Sequence, residues 1–91
     1  MKSTLATEIE QALTERFNPV VLELEDDSHK HAGHTGASEG SHFNLMLVAP
    51  AFTGASRMAR HRMVYDALAK WVPGKIHALS IKAISPEEQQ T

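Results

Sequence analysis

The chain has 91 residues, nine Lys and Arg against eleven Asp and Glu, and no cysteine. This length provides for one domain with a modest core. The missing cysteines exclude disulfides and thiolate ligands, and no apolar run approaches the roughly eighteen residues of a membrane span. The net charge of −2 is uneven, with seven acids and two bases in residues 1–27 and six bases and two acids in residues 28–75, so a protein-wide basic field for nucleic acid is absent while a local basic patch remains.

Leu5, Ile9, Ala12, Leu13 and Phe17 recur at helical spacing and predict an amphipathic helix, which "NP" at 18–19 stops because the residue before a proline avoids helical geometry. "VVLELED" then alternates, with Val20, Leu22 and Leu24 on one side and Glu23 and Glu25 on the other, as in a half-buried strand. Residues 27–41 are glycine-rich and without pattern and are expected to form a flexible loop. "HFNLMLVA" reads as a second strand with Phe43, Leu45 and Leu47 on one face, most simply antiparallel to the first. "PAFTG" turns the chain. From Ser56, a natural N-cap, a helix is expected to reach about Trp71 with Met58, His61, Val64, Tyr65, Leu68 and Trp71 as its inner stripe. "PG" at 73–74 ends it. "KIHALSIKA" is a third strand, with His77, Leu79 and Ile81 alternating on one face, and residues 85–91 form a polar tail. The order αββαβ predicts a single α+β domain, core about 4–84, with helices on one face of a three-stranded sheet.

Residues 29–42, "HKHAGHTGASEGSH", hold four of the six histidines. A loop histidine is ordinarily a tolerated polar residue, but imidazole is also the commonest metal ligand, and His29, His31 and His34 lie close together. Their spacing matches no zinc-finger pattern, and a hydrolytic zinc signature such as HExxH is absent. His61 on the inner stripe is expected to be structural, its ring hydrogen-bonded in a partly buried site. Catalysis finds no support: there is no cysteine nucleophile, GxSxG, phosphate-cradling glycine loop or convergent carboxylate pair. Arg57, Arg60 and Arg62 give the second helix a basic side suited to phosphates or to a docking partner. With no signal peptide or span, a cytoplasmic location is the simplest expectation.

The segments "LELEDDSHKHAGH", "SHFNLMLVAPAFTG", "RHRMVYDAL" and "IHALSIKAISPEE" resemble the BolA family in order and spacing, across about residues 5–87. The combination of FxG, RHRxVY and IHAL carries the likeness. It implies an αββαβ fold similar to the type II KH arrangement, or αββααβ where a short extra helix precedes the long one. It also implies a non-enzymatic partner of monothiol glutaredoxin that shares a glutathione-ligated 2Fe–2S cluster in iron homeostasis. The family's C-terminal cluster histidine falls on His77 and its loop ligand on His31, with His34 and His29 as neighbouring alternatives. The segment from His31 to "HF" is about one residue longer than in similar bacterial sequences. Similar proteins are also described as transcriptional regulators of stress response and morphology. That implies DNA binding through the stretch after FxG, where Arg57, Arg60 and Arg62 lie. The KH-type GxxG element is missing from "GASR" at 54–57.

Overall fold

The computed structural model describes residues 4–26, 41–72 and 74–89. Helix α1 spans Thr4–Phe17 and buries Ala6, Ile9, Leu13 and Phe17, one residue per turn. It ends where Asn18 takes a φ of 45° and gives its N–H to the Thr14 carbonyl at 2.9 Å. Asparagine tolerates this left-handed cap better than other side-chain-bearing residues.

Strands β1 (Val21–Asp26), β2 (Ser41–Val48) and β3 (Ile76–Ile84) form one sheet in the order β1-β2-β3. β1 runs antiparallel to β2 from Val21 opposite Val48 to Asp26 opposite Phe43, as the alternation predicts. β3 runs parallel to β2, and a parallel neighbour requires a crossover connection. Helix α2 (Arg57–Ala67) supplies it. Phe43, Leu45 and Leu47 are buried in the core that α1 and α2 cover, with Leu22, Leu24, Leu79, Ile81 and Ala83 packed against it. The expected α+β class, with a three-stranded sheet, is the one observed. Val20 lies just before β1 and is 62% exposed, its N–H bonded to the Val48 carbonyl.

A 3₁₀ turn, Pro50–Phe52, stands where the resemblance allows an extra helix, and it drives Phe52 into the core. Ser56 caps α2 as expected, its Oγ accepting the Ala59 N–H at 3.1 Å. The helix ends at Ala67 rather than Trp71. Residues 68–72 turn instead, with the Trp71 N–H on the Leu68 carbonyl and the Ile76 N–H on the Trp71 carbonyl. Pro73 has no N–H with which to continue a helix, and the turn lets the Trp71 ring reach the core as the chain enters β3.

The inner stripe of α2 is rotated a fraction of a turn from the expected one. Val64, Leu68 and Trp71 are buried, but Met58 is 72% and Tyr65 38% exposed. The inward position one turn before Val64 belongs to Arg60. The polar tail is also more ordered than its composition suggested: Pro86–Gln89 form a short helix, α3. Glu88 N–H bonds Ser85 Oγ at 3.2 Å and Glu88 Oε1 accepts the Ser85 N–H at 2.7 Å. This is a reciprocal capping box with proline at the first helical position.

Candidate functional site

The antiparallel and parallel pairings place three chain segments at one end of the sheet. β1 finishes at Asp26 opposite Phe43, β2 starts at Ser41, and β3 starts at Ile76 opposite Ser41. Asp26 and Ser41, the last described residue before 27–40 and the first after them, therefore both stand at the end of the sheet where β3 reaches His77. The register slips at this point, since Ser41 faces Ile76 but the next residue, His42, faces Ala78. β3 thus carries one residue more than β2, and that residue is His77. Such a bulge interrupts a ladder locally and re-aims the extra residue. From Leu79 onward the expected alternation holds, with Leu79 facing Phe43 and Ile81 facing Leu45.

The expected ligands His29, His31 and His34 lie outside the described residues, and of His77 only the backbone is described. His42, the fourth histidine of the 29–42 stretch, is a half-buried β2 residue at this same end. Among the described residues, no three His, Cys, Asp or Glu side chains form a metal-holding group.

The three arginines separate into different roles. Arg60 lies inside the fold: its Nε donates to the Ala55 carbonyl at 2.9 Å, and its Nη1 to the Ala83 carbonyl at 3.0 Å and Glu88 Oε1 at 2.6 Å. Its side chain is 11% exposed. One guanidinium thereby ties the start of α2 to β3 and α3, a fork of donors that lysine cannot reproduce. Arg57 and Arg62 are exposed. Arg57 lines a groove between α2, β3 and α3 together with Arg60, His61, Lys82 and Glu88, and Arg62 is not among its lining residues. His61 is half-buried at the wall of this groove, its ring with no hydrogen-bond partner among the described residues. Its place beside rather than on the inner stripe follows from the rotation of α2. Lys70, further along, sets its Nζ 5.5 Å from the Trp71 ring centre, within cation–π reach.

Glu88 is lowered from an ordinary 4.5 to about 2. The Ser85 N–H is the largest cause, followed by the Arg60 guanidinium and the Ser85 hydroxyl. Because the folded value lies below the unfolded one, this carboxylate's stabilising contribution is complete above about pH 4.5. It is lost as pH falls toward 2. Its half-exposed side chain keeps that contribution small. Glu88→Gln should flatten the acid limb of a urea-midpoint profile below pH 4.5 and leave the neutral limb parallel to wild type. An unchanged acid limb would place the acid-sensitive group elsewhere. Sequence reasoning missed this network, although Ser-Pro-Glu-Glu at 85–88 is a legible capping signature.

Comparison with known proteins agrees with this architecture. The family profile described as BolA-like protein matches residues 13–88. SufE-like protein 1, chloroplastic/mitochondrial, of Arabidopsis thaliana is 43% identical over 86 residues, covering 88% of this chain but 23% of that protein. The DNA-binding transcriptional regulator BolA of Escherichia coli is 39% identical over 80 residues, covering 88% of this chain and 74% of that one. The solved BolA domain of SufE1 from Arabidopsis thaliana superposes with a TM-score of 0.85 at 43% identity, covering 97% of this chain and 99% of that domain. The 3₁₀ turn at FxG, the Arg60 tie within RHRxVY and the bulge within IHAL are thus local features of a shared fold, and the chain belongs to the BolA-like protein family.

Proposed function

We propose that this protein is a non-enzymatic adaptor that binds a monothiol glutaredoxin and shares with it a glutathione-ligated 2Fe–2S cluster. The observation that carries the reading is the sheet end at which β3 begins with a bulge at His77, flanked by both ends of the segment that holds His29, His31 and His34. The donor chemistry fits a shared site and not a self-contained one. The chain has no thiolate to offer, whereas a cluster takes four ligands, so two imidazoles here leave two positions for a partner's cysteine and glutathione. His77 and His31 are the residues that would hold it, with His34 and His29 as alternatives for the second. When bound through imidazoles, the cluster supplies a one-electron centre of higher potential than an all-thiolate one. The chain's own part is to fix one imidazole on a strand start and bring the second from the adjoining segment.

Mixing the purified chain with a monothiol glutaredoxin, ferrous iron, sulfide and glutathione should give a visible spectrum distinct from that of the glutaredoxin homodimer. A spectrum identical to that of glutaredoxin alone counts against the adaptor reading.

Regulation of transcription is the second reading, favoured by the name of the Escherichia coli relative and by the exposed Arg57 and Arg62. On that reading DNA affinity falls steeply with salt. Neutralising Arg57 or Arg62 should then reduce the slope of log K against log salt by about 0.7–0.9 each. Arg60 should not follow this rule, since its guanidinium is already committed to Ala83 and Glu88. DNA affinity that stays negligible at physiological salt leaves the adaptor reading alone.

A further inference from the structure

β3 is one of the two outer strands of the sheet. Its Ile84 carbonyl accepts the N–H of Ala49, just beyond β2, while the Ala83 carbonyl points the other way and accepts Arg60 Nη1. The N–H and C=O of a strand residue point to the same side, and that side alternates along the chain. The backbone groups of Leu79 and Ile81 therefore face the free edge with Ala83. Among the described residues Arg60 bonds the Ala83 carbonyl, and neither Leu79 nor Ile81 has an edge-side partner. An edge of this kind is a template for an added strand.

The groove beside the edge has a definite chemistry. Ala55, Ile81, Ala83 and Ile84 give it apolar surface, and Arg57, Lys82 and His61 stand around it. The acid there, Glu88, is bonded to Arg60. Arg57 is the exposed cation on the helix side of the groove, and Lys82 is the exposed cation of β3 on the other face, where the acids Glu23 and Glu25 stand two strands away on β1. Lys82 faces Met46 across the sheet, on the opposite side from the helices, and Arg57 stands at the start of α2.

We infer that the β3 edge is a docking site for an extended segment of a partner protein with alternating acidic and apolar residues. The segment adds as a fourth strand beside β3. Its backbone pairs with Leu79 and Ile81, its apolar residues cover Ile81 and Ala55 on the helix side, and its carboxylates meet Lys82 on the other side. Arg60 limits the available edge to the stretch before Ala83. This interface requires neither metal nor glutaredoxin, and it uses β3 beyond the bulge that the cluster proposal invokes.

The test uses the metal-free full chain and an acetylated, amidated heptapeptide alternating glutamate and valine. Peptide should perturb the Leu79, Ile81 and Ala83 amide resonances and slow hydrogen exchange at Ile81. Methylating alternate peptide nitrogens on the pairing side removes the donors while keeping charge and apolar surface, and affinity should fall about tenfold. Lys82→Glu should weaken binding about three- to tenfold, more at low salt than at high. An Ile81 amide that exchanges equally fast with peptide present would overturn the proposal, as would equal binding of the methylated peptide. So would a thymidine oligonucleotide binding this groove where the peptide does not.

Discussion

Replacing His77 by alanine is expected to abolish the distinctive visible circular dichroism of the complex with glutaredoxin while leaving the chain folded. The bulge makes this test clean. Ile76, immediately before it, is 1% exposed and anchors β3 in the core, and Ala78, immediately after it, pairs with His42. His77 is the residue with no opposite number in β2, so alanine there leaves the backbone pairs on either side of it in place. Its effect on stability should stay within about 1 kcal/mol. Removing one of four cluster ligands, by contrast, removes the mixed-ligand species itself. His31→Ala should weaken the same signal more than His29→Ala, and equal or reversed effects would transfer the second ligand to His34 or His29. A wild-type spectrum from the folded His77→Ala protein would sink the assignment and with it the reading of the sheet end as a cluster site.

Elements whose signals lie within a few residues were legible before the fold was known. "NP" ended α1, Ser56 capped α2, and the alternation of Leu22 and Leu24 against Glu23 and Glu25 gave β1 its faces. What escaped the sequence depends on distant partners. Hydropathy places Met58 and Tyr65 inward and Arg60 outward, because it ranks residues by type. The fold does the reverse, because the Arg60 guanidinium meets the Ala83 carbonyl and Glu88 more than twenty positions away. Burial of an arginine is tolerated once its donors are satisfied. The bulge escaped for a related reason. Register belongs to a pair of strands, and nothing in "KIHALSIKA" alone tells that Ser41 and His42 face Ile76 and Ala78. The capping box at Ser85–Glu88 was within local reach, and the polar composition of the tail concealed it.

The largest loss of stability should come from Phe52, the first residue of the FTG triplet that carries part of the family likeness. Phe52 is fully buried, with its ring centre 5.2 Å from that of Phe17 at a tilt of 40°. Backbone geometry delivers it there. The 3₁₀ turn from Pro50 to Phe52 closes with the Thr53 N–H on the Pro50 carbonyl, and Gly54 at φ 80° turns the chain outward again toward Ser56. Only glycine takes that φ without strain. The ring therefore joins α1 to the connection between β2 and α2, and the motif serves packing. Phe52→Ala should cost about 3–5 kcal/mol by lost burial and the cavity it leaves. That is a large part of the roughly 5–14 kcal/mol available to a domain of this size. The urea midpoint should fall accordingly, and much of the variant should be unfolded at 37 °C. Met58→Ala supplies the contrast, since Met58 is also apolar but 72% exposed, and its change should stay within about 0.5 kcal/mol. A Phe52→Ala midpoint close to that of Met58→Ala would mean that the phenylalanine of the motif is not a core residue, and its role would have to be sought in contacts with a partner.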